Sequence, residues 1–128
     1  MSLASRLLGL PDIAPQALLR LIDAGEVAAV LDVNPLRSWL SARVPGAKHL
    51  DPGFFTAKDL PEDKASRLVF YCANTRCTAG PFAARRARAM GYAQAAVMAR
   101  GIAGWIAAGL PTEAGEGQAA AQSRGHNT

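Results

Sequence analysis

The chain has 128 residues, half of them hydrophobic, which is enough to bury the core of one domain and too few for two ordinary domains. Its net charge is +4, but the basic residues are scattered, and the cluster at Arg85, Arg86 and Arg88 is better explained as a solvated helix face than as a nucleic-acid patch. We therefore expect no nucleic-acid partner. The modest positive charge is compatible with small anionic substrates.

The N-terminal sequence lacks the sustained apolar stretch of a secretion signal, because Pro11 interrupts a short apolar run. No segment approaches the roughly 20 apolar residues that span a bilayer. These features predict a soluble, cytoplasmic protein with no membrane partner. In that compartment both cysteines are expected to be reduced at rest, and to be reactive or metal-binding rather than structural.

The predicted elements alternate between helices and strands along the chain. They are a helix over 13–24, a strand over 28–33, a short helix over 35–43, a brief strand over 48–50, a strand over 67–71, a helix over 78–90, a strand over 95–98 and a short helix over 101–108. This alternation predicts a parallel sheet covered by helices on both faces. Residues 1–12 are expected to form an N-terminal extension, 13–112 the folded domain and 113–128 a disordered tail without apolar periodicity.

Cys72 directly follows the strand predicted over 67–71 and precedes a polar, turn-prone segment that leads into a helix. Open α/β sheets bind ligands at the carboxyl ends of their strands. The free amides and the dipole of the following helix favour a thiolate and so lower the pKa of the thiol. The alternative is an inert, buried cysteine. The polar loop favours a nucleophilic Cys72 in an anion cradle formed by Ala73, Asn74, Thr75, Arg76, Cys77 and Thr78.

Cys77 has two open interpretations. Its C-x4-C spacing from Cys72 does not match the C-x2-C pairs of zinc sites, so no metal is expected. Cys77 is either a reactive thiol, which forms a redox disulfide with Cys72 or attacks a sulfur adduct held on Cys72, or a packing residue at the start of a helix.

Two other polar residues are better explained by structure than by catalysis. Asp32 ends a predicted strand and is expected to anchor a neighbouring loop as structural support. His49 is the one histidine in the predicted folded domain, and a half-buried structural role is favoured over a Cys–His hydrolase.

Taken together, the segments from about Ile13 to Thr112 resemble a single-domain rhodanese, the family of thiosulfate-type sulfurtransferases and persulfide carriers. The motifs that carry the resemblance are Val30-Leu31-Asp32-Val33, Val44-Pro45-Gly46-Ala47, Val69-Phe70-Tyr71-Cys72, Gly91-Tyr92, Gly101-Ile102-Ala103-Gly104-Trp105 and Gly109-Leu110-Pro111. The resemblance implies a three-layer α/β/α fold with a central, mostly parallel five-stranded sheet.

The resemblance also implies a function. Cys72 would take the outer sulfur of a small anionic donor such as thiosulfate, hold it as a persulfide and pass it to a thiophilic acceptor such as cyanide or a protein thiol. Inward-pointing loop amides would stabilise the negative sulfur. No metal and no organic cofactor are implied.

The sequence departs from the family pattern at several positions. Asn34 replaces the usual Arg, Arg43 replaces the usual His, and the loop after Cys72 is two residues longer than in simple rhodaneses. Longer loops resemble the phosphatase and arsenate-reductase branches, but Thr78 stands where those branches have an oxyanion-binding Arg, and the loop's arginine is Arg76. Two alternatives therefore stay open: a thiol redox or arsenate-reductase-like enzyme using both cysteines, or a non-catalytic interaction module.

Overall fold

The computed structural model describes residues 3–116. Its elements, in chain order, are α1 (Leu3–Leu7), α2 (Pro15–Asp23), β1 (Ala29–Asp32), α3 (Leu36–Ser41), β2 (Lys48–His49), a 3-10 turn (Ala57–Asp59), β3 (Leu68–Tyr71), α4 (Ala79–Ala89), β4 (Ala95–Val97) and α5 (Gly101–Ala107). Every helix and strand predicted from the sequence is present, and α1 and the 3-10 turn are additional. None of the helices within residues 3–116 is long and apolar enough to cross a bilayer.

The sheet has the strand order β2-β1-β3-β4, and each neighbouring pair is parallel. A buried apolar cluster lies on each face of the sheet. One includes Leu31 and Phe70 and packs against α4, and the other includes Val30, Val69 and Tyr71 and packs against α2 and α5. The predicted α/β fold, with a parallel sheet between helices, is confirmed. All four strands therefore end at the same edge of the sheet.

Within residues 3–116 the sheet has four strands rather than the five implied by the family resemblance. The fifth position, beside β4, holds a single parallel bridge between Asp12 and Val97. The Val97 amide donates to the Pro11 carbonyl and the Ile13 amide donates to the Val97 carbonyl. The ladder stops there because Pro11 has no amide hydrogen to donate and because α2 begins at Pro15.

Small residues allow α4 to pack closely against the sheet. The buried face of α4 consists of Gly80, Pro81, Ala83, Ala84 and Ala87. The sequence pattern predicts four residues on this face: Ala79, Ala83, Ala87 and Met90. Ala83 and Ala87 are buried there, and Ala79 and Met90 are half-buried. Because these side chains are short, the first turn of α4 can approach the end of β3.

A buried hydrogen-bond network joins the ends of β1 and β3. The Tyr71 hydroxyl donates to Asp32 Oδ2 at 2.6 Å and accepts from the Val44 amide at 3.0 Å, while the Asn34 amide donates to Asp32 Oδ1 at 2.9 Å. Burial raises the pKa of Asp32, and the hydrogen bonds from Tyr71 and Asn34 oppose that rise. Burial and the neighbouring carboxylate raise the pKa of Tyr71 far above its ordinary value, so its hydroxyl keeps its proton. The network fixes the residue that precedes Cys72.

The chain remains attached to the domain beyond residue 112, where the predicted tail begins. Arg43 and Glu113 form an antiparallel backbone bridge, and the Arg43 guanidinium donates to the Gly115 carbonyl at 2.8 Å. Arg43 is 2% exposed and lies over the Trp39 ring, 3.8 Å from its centroid. Residues 117–128 of the predicted tail lie outside the described residues.

Replacing Tyr71 with Phe tests the buried network. The variant leaves Asp32 Oδ2 and the Val44 amide without a partner, and a buried unsatisfied group costs about 1–3 kcal/mol. We expect the free energy of unfolding in urea to fall by about 2–4 kcal/mol. Tyr92→Phe is the matched control, because it removes one buried hydroxyl that donates to a neutral carbonyl, that of Pro61.

The two variants should differ in their dependence on pH. Because the pKa of Asp32 is raised on folding, the folded chain binds the proton of this carboxyl group more tightly than the unfolded chain does. The free energy of unfolding therefore falls as the pH rises from the unfolded-state pKa to the folded-state pKa of Asp32. Tyr71→Phe removes a hydrogen bond that lowers the pKa of Asp32, so this pKa rises further. The loss of stability in Tyr71→Phe should therefore be larger at neutral than at acidic pH, whereas the loss in Tyr92→Phe should not grow with pH. Equal pH profiles for the two variants would contradict the network.

Candidate active site

Cys72 lies directly after β3, at the edge where all four strands end, and is 4% exposed. Its backbone is fixed to the start of α5: the Ile102 amide donates to the Cys72 carbonyl and the Ala103 amide donates to the Ala73 carbonyl, each at 3.0 Å. The backbone of Cys72 is therefore held by α5 as well as by its own strand.

Gly101 makes this close approach possible. Its φ is +66°, and a Cβ atom there would lie 2.5 Å from the Cys72 carbonyl oxygen and 2.6 Å from the carbonyl carbon of Ala73. Both the left-handed backbone and the lack of space therefore require glycine at this position.

The first turn of α4 contacts the sulfur itself. The Gly80 amide donates to Cys72 Sγ at 3.2 Å. A Cβ atom at Gly80 would lie 3.3 Å from the Cys72 backbone nitrogen and 3.4 Å from Sγ, so the small residue permits the contact. An amide at a helix N-terminus favours negative charge on the atom it faces. The arrangement therefore favours the thiolate form of Cys72 when its sulfur is free.

Cys72 and Cys77 are joined in a disulfide. The sequence predicts reduced cysteines, so the structure shows the other redox form of the pair. Their Cα atoms are 6.3 Å apart, within the range of about 4.4–6.8 Å that disulfides span. No group of three or more His, Cys, Asp or Glu side chains among residues 3–116 is arranged to hold a metal ion.

The loop between the two cysteines is folded by Asn74. Its side-chain oxygen accepts from the Arg76 amide at 2.9 Å, and its carbonyl accepts from the Cys77 amide at 3.1 Å. Two of the amides predicted to face a substrate are thus used within the loop in this redox form. Thr75 and Arg76 are exposed, Ala73 and Cys77 are half-buried, and Thr78 is exposed and makes no side-chain capping bond to α4.

The remaining polar residues singled out in the sequence are engaged in structure. Asp32 is fully buried in the network with Tyr71. His49 Nε2 hydrogen-bonds the Asn34 carbonyl at 2.9 Å, and its ring lies 6.0 Å from that of Trp39. Arg43, at the position where the family usually has His, binds the segment at 113–115.

Sequence reasoning missed Gly80 and Gly101 as parts of the site. Both stand near helix starts, where glycine alone is a weak signal, and their roles depend on contacts with the distant Cys72. The isolated glycine inside the predicted helix at 78–90 was the one local hint of a close approach at Gly80.

The family profile described as "Rhodanese-like domain" matches residues 14–108. Thiosulfate sulfurtransferase from Pseudomonas aeruginosa is 23% identical, with a TM-score of 0.74, over 88% of this chain but 22% of that one. A Bacillus halodurans protein is 18% identical, with a TM-score of 0.74, over 81% of this chain and 77% of that one.

A Rhodopseudomonas palustris protein of unknown function, described as a possible tyrosine phosphatase, is 20% identical, with a TM-score of 0.70, over 86% of this chain and 91% of that one. At these identities the structural matches establish a shared fold alone. No curated protein sequence matches this chain significantly.

Replacing Gly101 with Ala tests how the Cys72 backbone is held. Gly109→Ala is the matched control, because Gly109 has a similar φ of +74° and nothing within 4 Å of the position that a Cβ atom would take. Both variants incur left-handed strain of about 1–2 kcal/mol. Gly101→Ala should lose a further 1–3 kcal/mol or so from steric overlap, and should change the alkylation rate of reduced Cys72. Equal stability losses and an unchanged alkylation rate would contradict the assignment.

Proposed function

This chain belongs to the rhodanese-like domain family, and from that premise we propose that it transfers sulfane sulfur from a thiosulfate-like donor to a thiophilic acceptor through a persulfide on Cys72. The observation that carries the proposal is the hydrogen bond from the Gly80 amide to Cys72 Sγ, at the N-terminus of α4. This hydrogen bond would stabilise the thiolate that forms when the disulfide is reduced, and the thiolate is the nucleophilic form of cysteine.

The reaction begins from the reduced pair, since a disulfide-bonded Cys72 has no free thiol. The Cys72 thiolate attacks the outer sulfur of thiosulfate, the sulfur–sulfur bond of the donor breaks, and sulfite leaves with the bonding electrons. The negative charge then rests on the terminal sulfur of the persulfide. A nucleophilic acceptor, such as cyanide or a protein thiolate, takes that terminal sulfur and returns Cys72 as a thiolate.

The protein contributes position and electrostatics to this reaction. The Gly80 amide already faces the Cys72 sulfur in the disulfide form, so a donor to the attacking thiolate is in place and little reorganisation is needed during the reaction. Arg76 is exposed on the loop that follows Cys72, where its guanidinium can attract a dianionic donor. Asp32 serves as structural support through its hydrogen bond from Tyr71, the neighbour of Cys72.

The disulfide favours a second candidate function, a thiol redox or arsenate-reductase-like activity. In that reaction Cys72 would form an adduct with the oxyanion and Cys77 would resolve it. Thr78 supplies no guanidinium to clamp a tetrahedral oxyanion, which counts against this substrate class and against phosphate esters. Dithiol-dependent reduction of arsenate at a rate above that of thiosulfate cleavage would favour the second function.

Sulfite release tests the proposed function directly. We expect reduced, desalted wild-type protein to release about one sulfite per chain on mixing with thiosulfate, because the attack on each Cys72 expels one sulfite. With cyanide, excess thiosulfate and a reductant that keeps the cysteine pair reduced, thiocyanate should form repeatedly. Cys72→Ser should abolish both signals, since a hydroxyl is a far weaker nucleophile at neutral pH. No sulfite burst from wild type, or an equal burst from the Ser variant, would contradict the proposal.

The role of Arg76 is tested with a second arginine as control. Arg76→Gln should slow the reaction with thiosulfate about fivefold at low ionic strength, because one unit-charge contact is worth about 1 kcal/mol in water. The difference should shrink in high salt. Arg67→Gln is the matched control, because Arg67 is exposed and precedes β3 at the end opposite Cys72. Equal effects of the two substitutions would show that only net charge matters.

A further inference from the structure

Sulfur transfer by Cys72 alone gives no role to Cys77, the other cysteine of the disulfide. A persulfide carrier needs one sulfur nucleophile, yet Cys77 is bonded to Cys72 in this structure. Cys72 is almost fully buried, whereas Cys77 is half-buried. The two thiols therefore differ in their access to solvent as well as in their neighbours.

The loop keeps the two sulfurs within bonding reach. The cysteines are separated by five positions, and the turn between them is closed by the two hydrogen bonds that Asn74 accepts from Arg76 and Cys77. A thiol held on so short a tether has a high effective concentration at its partner, so Cys77 competes well with thiols from solution.

We propose that Cys77 resolves the Cys72 persulfide and releases hydrogen sulfide. This inference rests on the sulfur transfer proposed above. The Cys77 thiolate attacks Cys72 Sγ and forms the bond seen in this structure. The bond between Cys72 Sγ and the terminal sulfur breaks, and the terminal sulfur leaves with the bonding electron pair. It takes up the proton that Cys77 gave up and departs as hydrosulfide. The sulfane sulfur is reduced and the two cysteines are oxidised.

A dithiol reductant completes the cycle by returning two electrons and two protons to the disulfide. Cys77 is the more exposed residue of the pair and is taken as the point of attack. Attack there expels Cys72 as the leaving thiolate, and the Gly80 amide stabilises that leaving group. The partner that fits this step is a small dithiol protein or a dithiol compound. The chain then converts thiosulfate and a dithiol into sulfite, hydrogen sulfide and a disulfide.

The test is a single turnover without reductant. Reduced, desalted protein is mixed with thiosulfate, and sulfite, hydrogen sulfide and intact mass are followed together. Wild type should release about one sulfite and then about one sulfide per chain, and should finish as the disulfide with both cysteines resistant to alkylation. Cys77→Ser should release sulfite, retain one added sulfur on Cys72 and release sulfide at least ~10-fold more slowly. Cys77→Ala should behave as the Ser variant does.

The outcomes separate this inference from the proposed function. A sulfite burst from wild type followed by a persistent persulfide, without sulfide, would overturn the resolving step and leave sulfur transfer standing. Equally fast sulfide release from both Cys77 variants would overturn it as well.

If no sulfite appears at all, the proposed transfer from thiosulfate fails, and the same proteins are loaded with inorganic polysulfide instead. A disulfide in wild type beside a stable persulfide in Cys77→Ser then supports the resolving step. A persistent persulfide in both contradicts it.

Discussion

The hydrogen bond between the Tyr71 hydroxyl and the buried Asp32 carboxylate is the interaction on which the rest of the site depends. It joins the ends of β1 and β3 one residue before Cys72, and through Val44 it also fixes the segment that leads to β2. A carboxylate in a fully buried position is costly unless its oxygens are satisfied, and here both oxygens accept hydrogen bonds. The carboxyl edge of the sheet is therefore held in one arrangement, to which the thiol, α4 and α5 are attached.

At that edge, two glycine residues allow helices to pack closely against Cys72. Gly80 brings an amide of α4 to the sulfur, and Gly101 brings the first turn of α5 against the Cys72 carbonyl. Cys72 is therefore held at two helix starts, its sulfur against α4 and its carbonyl against α5.

Much of the fold could be predicted from the sequence, because it depends on local patterns. Short apolar strands alternate with helices, and this alternation dictates a parallel sheet and a strand end at Cys72. The missing fifth strand depends on Pro11, whose lack of an amide hydrogen limits the pairing beside β4. The anchoring of Glu113 by Arg43 could not be predicted, because an ion pair between distant residues leaves no periodic signal.

The site was predictable in its centre but not in its surroundings. The position of Cys72 follows from strand and loop patterns, whereas the direction of each loop amide depends on how Asn74 folds the turn. The disulfide with Cys77 depends on the same turn, and spacing alone left Cys77 open between a redox or resolving role and a packing role. The redox state is set by the surrounding reductant, so the reduced and the disulfide forms are both states of one pair.

Every proposed step requires an activated Cys72 thiol, and the pH dependence of its alkylation rate in Cys77→Ser measures that property most directly. The amide of Gly80 at the start of α4 predicts a thiol pKa below that of a free cysteine. A pKa at or above the ordinary value would mean that burial outweighs the helix terminus. That result would contradict a nucleophilic role and would favour a non-catalytic member of the family.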